Sequence, residues 1–181
     1  MPIRPGVHQL GPENSTLQVK TYRGGIASKA GHDLILDVTQ WEATVEMAED
    51  WTQSSVELTA DPRSLQVSEG LGGVKPLTDR ERTEIHKNIE EKVLGRAPIS
   101  FRSTGLELGE GGRLHGRGDL QIVGNARPVS FELTLGSDGA VSGGVPLTQS
   151  EWGIRPYRGL MGALKVQDFI EVAIDARLPA D

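Results

Sequence analysis

The chain has 181 residues, with 23 glycines, 10 prolines, a formal charge of −6 and no cysteine. That length suits one domain with a real core and leaves little room for a second. The acidic balance argues against nucleic acid and anionic membrane surfaces, both of which draw basic patches, and the missing cysteines exclude disulfides, thiol catalysis and thiolate-held metals.

The amino-terminal MPIRPGVHQLGPENST holds no apolar run and does not read as a secretion signal. No stretch is long enough to cross a bilayer as a helix. The expectation is therefore a cytoplasmic protein with no stable membrane insertion. Residues 1–13 are expected to form an extension ahead of one domain spanning 14–181. Asn14-Ser15-Thr16 fits the glycosylation pattern but reads more simply as the turn into the first strand.

From there apolar residues alternate almost to the carboxyl terminus. Leu17, Val19 and Thr21 open the series. In AGHDLILDVTQWEATVEM, residues 30–47, the inward set is first even (Leu34, Leu36, Val38) and then odd (Trp41, Ala43, Val45, Met47). A period of two means a strand with one face buried, and the change of parity places a turn or bulge at Thr39-Gln40. Val56, Leu58 and Ala60 continue the pattern.

The period then changes. Glycine-rich EGLGGVKP reads as a flexible loop, a candidate flap. After it, Thr78 stands three residues before Glu81, the spacing of a capping box. Ile85, Ile89 and Val93 recur every four residues, and Gly95 is placed to end the helix. One amphipathic helix over 78–94, laid against the sheet, is expected.

Alternation resumes with Ile99 and Phe101, then Leu114, Gly116, Gly118, Leu120 and Ile122. Val129, Phe131, Leu133 and Leu135 follow, then Val141, Val145 and Leu147, and last Ile170, Val172, Ile174, Ala176 and Leu178. The opposite faces carry solvated types such as Lys20, Glu57, Arg117, Glu132 and Asp175. GEGG at 109–112 and GSDG at 136–139 are hairpin signals. The pattern predicts an all-β fold, a single antiparallel barrel of roughly eight or nine strands with the helix packed on it.

A barrel of about eight strands is either plugged by its own side chains or wide enough for one small ligand. Aromatics are only 4% of the chain, and Ala43, Gly116, Gly118, Gly143 and Ala176 are small inward residues expected to leave space. The side chains expected to face such a lumen are Val19, Leu36, Val45, Leu58, Phe101, Leu120, Phe131, Leu133, Val145 and Val172.

Signals for catalysis are missing. His8, His32, His86 and His115 are scattered without metal-ligand spacing. His32 is the most interesting, yet Asp33 beside it in an extended chain points the other way. Strand carboxylates fall on the solvent face, where nothing raises a pKa toward general acid work. There is no nucleophile elbow and no phosphate loop. In EWGIRPYRGLMGALKVQD, residues 151–168, the cations and ring of Arg155, Tyr157 and Arg158 could meet a polar head group at the mouth. The plainer alternative is a loop packed over a barrel end with its charges solvated.

PISFRSTGLEL followed by GRLHGRGDLQIVGNARPVSFELTL resembles the central signature of the YceI-like family, a strand with Phe-x-Ser-Thr and then Gly-Asp-Leu-x-Ile-x-Gly and Arg-Pro-Val. SVELTADPRSLQV and GALKVQDFIEVAID are similar to flanking parts of the same family. The resemblance runs from about Ser15 to Leu178. It implies a lipocalin-like barrel whose lumen takes a polyisoprenoid, an isoprenoid quinone or another long-chain amphiphile, with no catalytic residues and no cofactor. Many members carry a secretion signal that this sequence does not show. The family's histidine-bearing segment is replaced here by the longer 78–94 helix, in which His86 stands as its echo.

The expected function is accordingly a non-enzymatic carrier for an apolar-tailed small molecule, without metal, cofactor or nucleic acid, and with a homodimer left open. Two alternatives stand beside it. One is a small isomerase or hydrolase using His32; the other is a stress-related interaction protein whose interior is simply core.

Overall fold

A computed structural model describes residues 3–180, and the alternating stretches in them are strands. In chain order these are β1 (Gly6–Leu10), β2 (Thr16–Gly24), β3 (Asp33–Val38), β4 (Trp41–Met47), β5 (Ser55–Ala60) and β6 (Leu65–Leu71). Then come α1 (Asp79–Asn88), β7 (Ile99–Leu108), β8 (Arg113–Ile122), β9 (Asn125–Leu135), β10 (Ala140–Thr148), β11 (Arg158–Gly159) and β12 (Leu164–Arg177). Burial follows the pleat. Along β8, Leu114, Gly116, Gly118 and Ile122 are buried while Arg113, His115, Arg117, Asp119 and Gln121 are exposed.

All pairings are antiparallel, in the order β1-β4-β5-β7-β8-β9-β10-β12-β2-β3-β6. The parity change at Thr39-Gln40 is a corner rather than a hairpin, because β3 and β4 run on as one bent strand. Its partner bends alongside it as β5 and β6, with β3 paired to β6 and β4 to β5. Thr39 N donates to Ser64 O at 3.1 Å and Asp61 N to Gln40 O at 3.0 Å, carrying the ladder round the bend. The last long strand, β12, pairs with both β10 and β2, so the meander meets its own start and closes into a barrel. Twelve segments stand where about eight strands are expected. Counting each bent pair once, and setting aside the edge strand β1 and two-residue β11, recovers eight.

Other boundaries shift for local reasons. Residues 6–10, expected within the extension, form β1 against the outer edge of β4. The 68–76 loop is shorter than expected, because β6 stays paired with β3 as far as Leu71 opposite Asp33. The helix keeps its capping box, with Thr78 Oγ1 accepting from Glu81 N at 3.2 Å and the Glu81 carboxylate accepting from Thr78 N at 2.8 Å. It does not run regularly to residue 94: α1 ends at Asn88 and widens into a π turn, Ile89–Leu94, closed by Gly95 at φ 65°.

One wall of the barrel is thinly paired. Between β9 and β10 only Val141 with Leu135 and Ser142 with Thr134 are in register. Past that point Pro128 and Pro146 lie on the two strands, and proline cannot donate to a ladder, so it is confined to edges. The turn after β10 takes its place beside β9. There Asn125 Nδ2 donates to Trp152 O at 2.8 Å and Arg127 Nε to Glu151 O at 3.0 Å. Trp152, 2% exposed, donates from Nε1 to Leu120 O at 2.9 Å.

Candidate functional site

Inward side chains of the barrel do not meet at its centre. They surround a cavity of about 360 Å³, lined almost wholly by apolar atoms. That volume lies within the range usual for small-molecule sites. Every long strand contributes to it, and α1 with its π turn closes one end through Ile85, Ile89, Val93 and Leu94. The wide turn brings Val93 and Leu94 inward together, which a regular helix would not do; such turns are frequent where a helix serves a site.

The lining side chains that carry polar atoms are Thr21, Trp41, Trp51, Asn88, Gln149 and Tyr157, and among the described residues the buried Trp41 Nε1–H has no hydrogen-bond partner. Asn88 on α1 and Tyr157, which meets Lys92, lie at the end crossed by the helix. Gln149 is buried and spends its amide N–H on Gln167 O at 3.0 Å. Lys92, one turn beyond Asn88, lies 5.6 Å over the Tyr157 ring and joins the helix to the 149–163 connection. Tyr157 is the only titratable residue among the described lining, and the described residues hold no cluster of potential metal ligands.

The helix is pinned to the barrel by its polar face. Arg82 Nη1 donates to Val67 O at 2.9 Å and His86 Nδ1 to Leu65 O at 2.9 Å. These donors satisfy carbonyls on the open side of β6, which would otherwise offer itself to another strand. At the helix start, the backbone and hydroxyl of Thr78 hold the Glu81 carboxyl below the ordinary glutamate range.

A profile of the YceI-like domain matches residues 9–178. The chain belongs to that family. Among solved structures it is similar to BcnA of Burkholderia cenocepacia, at TM-score 0.66 and 16% identity over 89% of this chain and 94% of that one. A mutant of the CJ YCEI protein aligns at TM-score 0.52 and 11% identity, over 78% of this chain and 82% of that one. A second mutant of that protein, solved with a monobromobimane guest, aligns at TM-score 0.50 and 11% identity, over 78% and 82%. At these identities the likeness is one of fold. No curated protein matches.

In this YceI-like barrel the ten residues expected around a lumen, Val19, Leu36, Val45, Leu58, Phe101, Leu120, Phe131, Leu133, Val145 and Val172, all line the one cavity. The three expected at its mouth separate. Tyr157 lines the cavity, whereas Arg155 and Arg158 are exposed outside it. Their loop is shorter than the sequence suggests, because β12 already begins at Leu164.

Two of the small residues expected to leave space do not. An alanine Cβ on Gly116 would lie 2.1 Å from the Phe131 ring, and one on Gly118 would lie 2.5 Å from the Phe101 ring. The two rings lie over the glycines and meet edge to face, with centroids 5.8 Å apart. The lumen comes instead from the paucity of large side chains elsewhere on the wall.

His32 does not reach the cavity. Its Nε2–H donates to Lys75 O at 2.6 Å and anchors the 72–77 loop. Asp33 accepts from Arg23 N at 2.9 Å, so the two neighbours form no dyad. Sequence reasoning missed Asn88, Gln149 and Lys92 around the mouth. The i, i+4 spacing of Asn88 and Lys92 was the one signal that could have found those two, and Gln149 left none.

Proposed function

We propose that this protein binds one apolar-tailed amphiphile, its tail in the barrel lumen and its polar end beneath α1 beside Tyr157 and Asn88. Isoprenoid lipids and quinones are the leading class. The observation that carries this reading is the cavity itself, a sizeable space lined almost wholly by apolar atoms, with Asn88 and Tyr157 in its wall at the helix end. Each methylene transferred there from water contributes about 0.8 kcal/mol, so a tail of roughly ten carbons suffices for tight binding with few polar contacts. The half-buried Asn88 side chain and the Tyr157 hydroxyl make no hydrogen bond within the described residues, so both are available to a head-group oxygen.

The test is extraction of freshly purified protein with organic solvent and mass spectrometry of the extract. Delipidated protein is then titrated with a fluorescent fatty acid and with a short-chain quinone. A stoichiometric isoprenoid or fatty species, displaced by the probe, is expected. An empty extract with no uptake of either probe would overturn the reading.

A further inference from the structure

Three loops crown the end of the barrel where α1 crosses. The 25–32 loop follows β2, the 72–77 loop follows β6, and the 153–163 segment precedes β12. They form one rim rather than three separate tips. Ala27 N donates to Ala163 O at 2.9 Å and Val74 N to Lys29 O at 3.1 Å. His32 adds its bond to Lys75 O, and Arg23 Nη1 donates to both Gly31 O and Leu71 O.

This rim holds out apolar side chains that nothing among the described residues covers. Ile26 is 97% exposed, Val74 72%, Leu160 62%, and Met161 stands fully in solvent. Leu160 and Met161 sit at φ 47° and 55°, neighbouring left-handed residues without being glycine. Such conformations are held at a cost and gather at functional sites. Here they present two large apolar side chains outward at the crest of a loop.

Charge on the rim is opposite to that of the molecule. Residues 24–32, 70–78 and 152–167 contain Lys29, Lys75, Arg155, Arg158 and Lys165 and no aspartate or glutamate, in a chain of net charge −6, although Glu81 at the start of α1 is close enough to feel the charge of Lys75. None of these five cations makes an ion pair with a carboxylate among the described residues. Arg158 and Lys165 stand opposite each other across β11 and β12. The barrel wall below is acidic and faces water.

The geometry points to this rim as a docking surface for an anionic lipid bilayer, with the cavity mouth turned toward the membrane. Apolar tips enter the headgroup region, flanking cations meet lipid phosphates, and the acidic wall keeps the rest of the molecule in solution. The inference extends the proposed function, since a carrier seated this way exchanges an amphiphile with the membrane without passing it through water. Docking and lumen binding are nonetheless separable by experiment.

The experiment is cosedimentation of the full chain with vesicles of phosphatidylcholine containing 30% phosphatidylglycerol, at several salt concentrations. Binding is expected at low salt and should weaken steeply as salt rises. Arg155→Gln with Arg158→Gln should lower the partition coefficient by roughly fivefold per cation. Leu160→Asn with Met161→Asn should lower it by roughly tenfold or more, and asparagine tolerates the left-handed backbone, so the loop is retained. A matched pair at the far end of the barrel, Leu108→Asn with Arg113→Gln, should change nothing. All variants should take up the fluorescent fatty acid as the unmodified chain does. No binding to anionic vesicles, or rim variants that bind like the control pair, would overturn docking. Protein that takes up the probe but does not pellet refutes docking alone; protein that pellets but takes up nothing refutes the lumen reading alone. Rim-dependent self-association without vesicles would assign the apolar tips to a second copy and also overturn it.

Discussion

Gly116→Ala is the smallest change that asks whether the interior is a space or a core. Gly116 lies directly opposite Phe131 across β8 and β9. A methyl group there would sit 2.1 Å from the ring, so the ring must retreat by about 1.3 Å to reach the 3.4 Å at which ordinary contact begins. Overpacking of this kind costs roughly 1–3 kcal/mol, and part of the edge-to-face contact with Phe101 goes with it. Removing a strand glycine returns roughly 0.5–1 kcal/mol.

If the ring can swing into a lumen, the net loss is about 1–2 kcal/mol, a Tm lower by about 2–8 °C in a chain of this size. The displaced ring then occupies room equal to one or two methylenes of ligand. Affinity for a fluorescent fatty acid should fall by roughly tenfold. Urea denaturation followed by tryptophan fluorescence reads the first quantity and probe titration the second. Adding Phe131→Leu should relieve the clash and recover much of both. A stability loss above about 4 kcal/mol would mean that the ring has nowhere to go, and the cavity reading would fail. Unchanged stability and unchanged probe binding would refute the placement of the ring over Gly116.

Trp152→Phe keeps an aromatic ring in the thin wall beside β9 but gives up part of the indole volume and strands the Leu120 carbonyl, and should lower stability by about 1–3 kcal/mol in urea denaturation. Thr78→Ala removes half of the capping box and should weaken the helix by about 1 kcal/mol, read as faster probe release in stopped flow with a nearly constant global midpoint. The Glu81 carboxyl, held low first by the Thr78 backbone and then by its hydroxyl, contributes stability above the unfolded value near 4.3 and loses it as pH falls through its lower folded value. Probe release should therefore be flat from pH 6 to 8 and accelerate below about pH 4, and Glu81→Gln should remove its part of that step. Arg82→Ala bares the Val67 and Ser68 carbonyls on the open side of β6 and should speed aggregation, as measured by light scattering.

Much of this architecture follows from local rules. A strand's pleat alternates side chains whatever it pairs with, so Val19, Leu36, Leu58 and Val172 could be assigned to one interior from parity alone. The capping box at Thr78 and Glu81 is equally local, and the structure keeps it. What parity does not contain is register. The Phe131 ring covers Gly116 because β8 and β9 pair residue against residue there, and a shift of pairing would have left that glycine open.

The π turn that brings Leu94 inward, the prolines on β9 and β10 where the wall thins, and the replacement of β10 by Trp152 all arise where strands and helix compete for the same space. The rim is the clearest case. Lys29, Lys75, Arg155, Arg158 and Lys165 are scattered over 137 positions of an acidic chain, and its net charge of −6 conceals them. Backbone bonds between loops distant in sequence gather them on one surface, because closure of the barrel sets β2 beside β12.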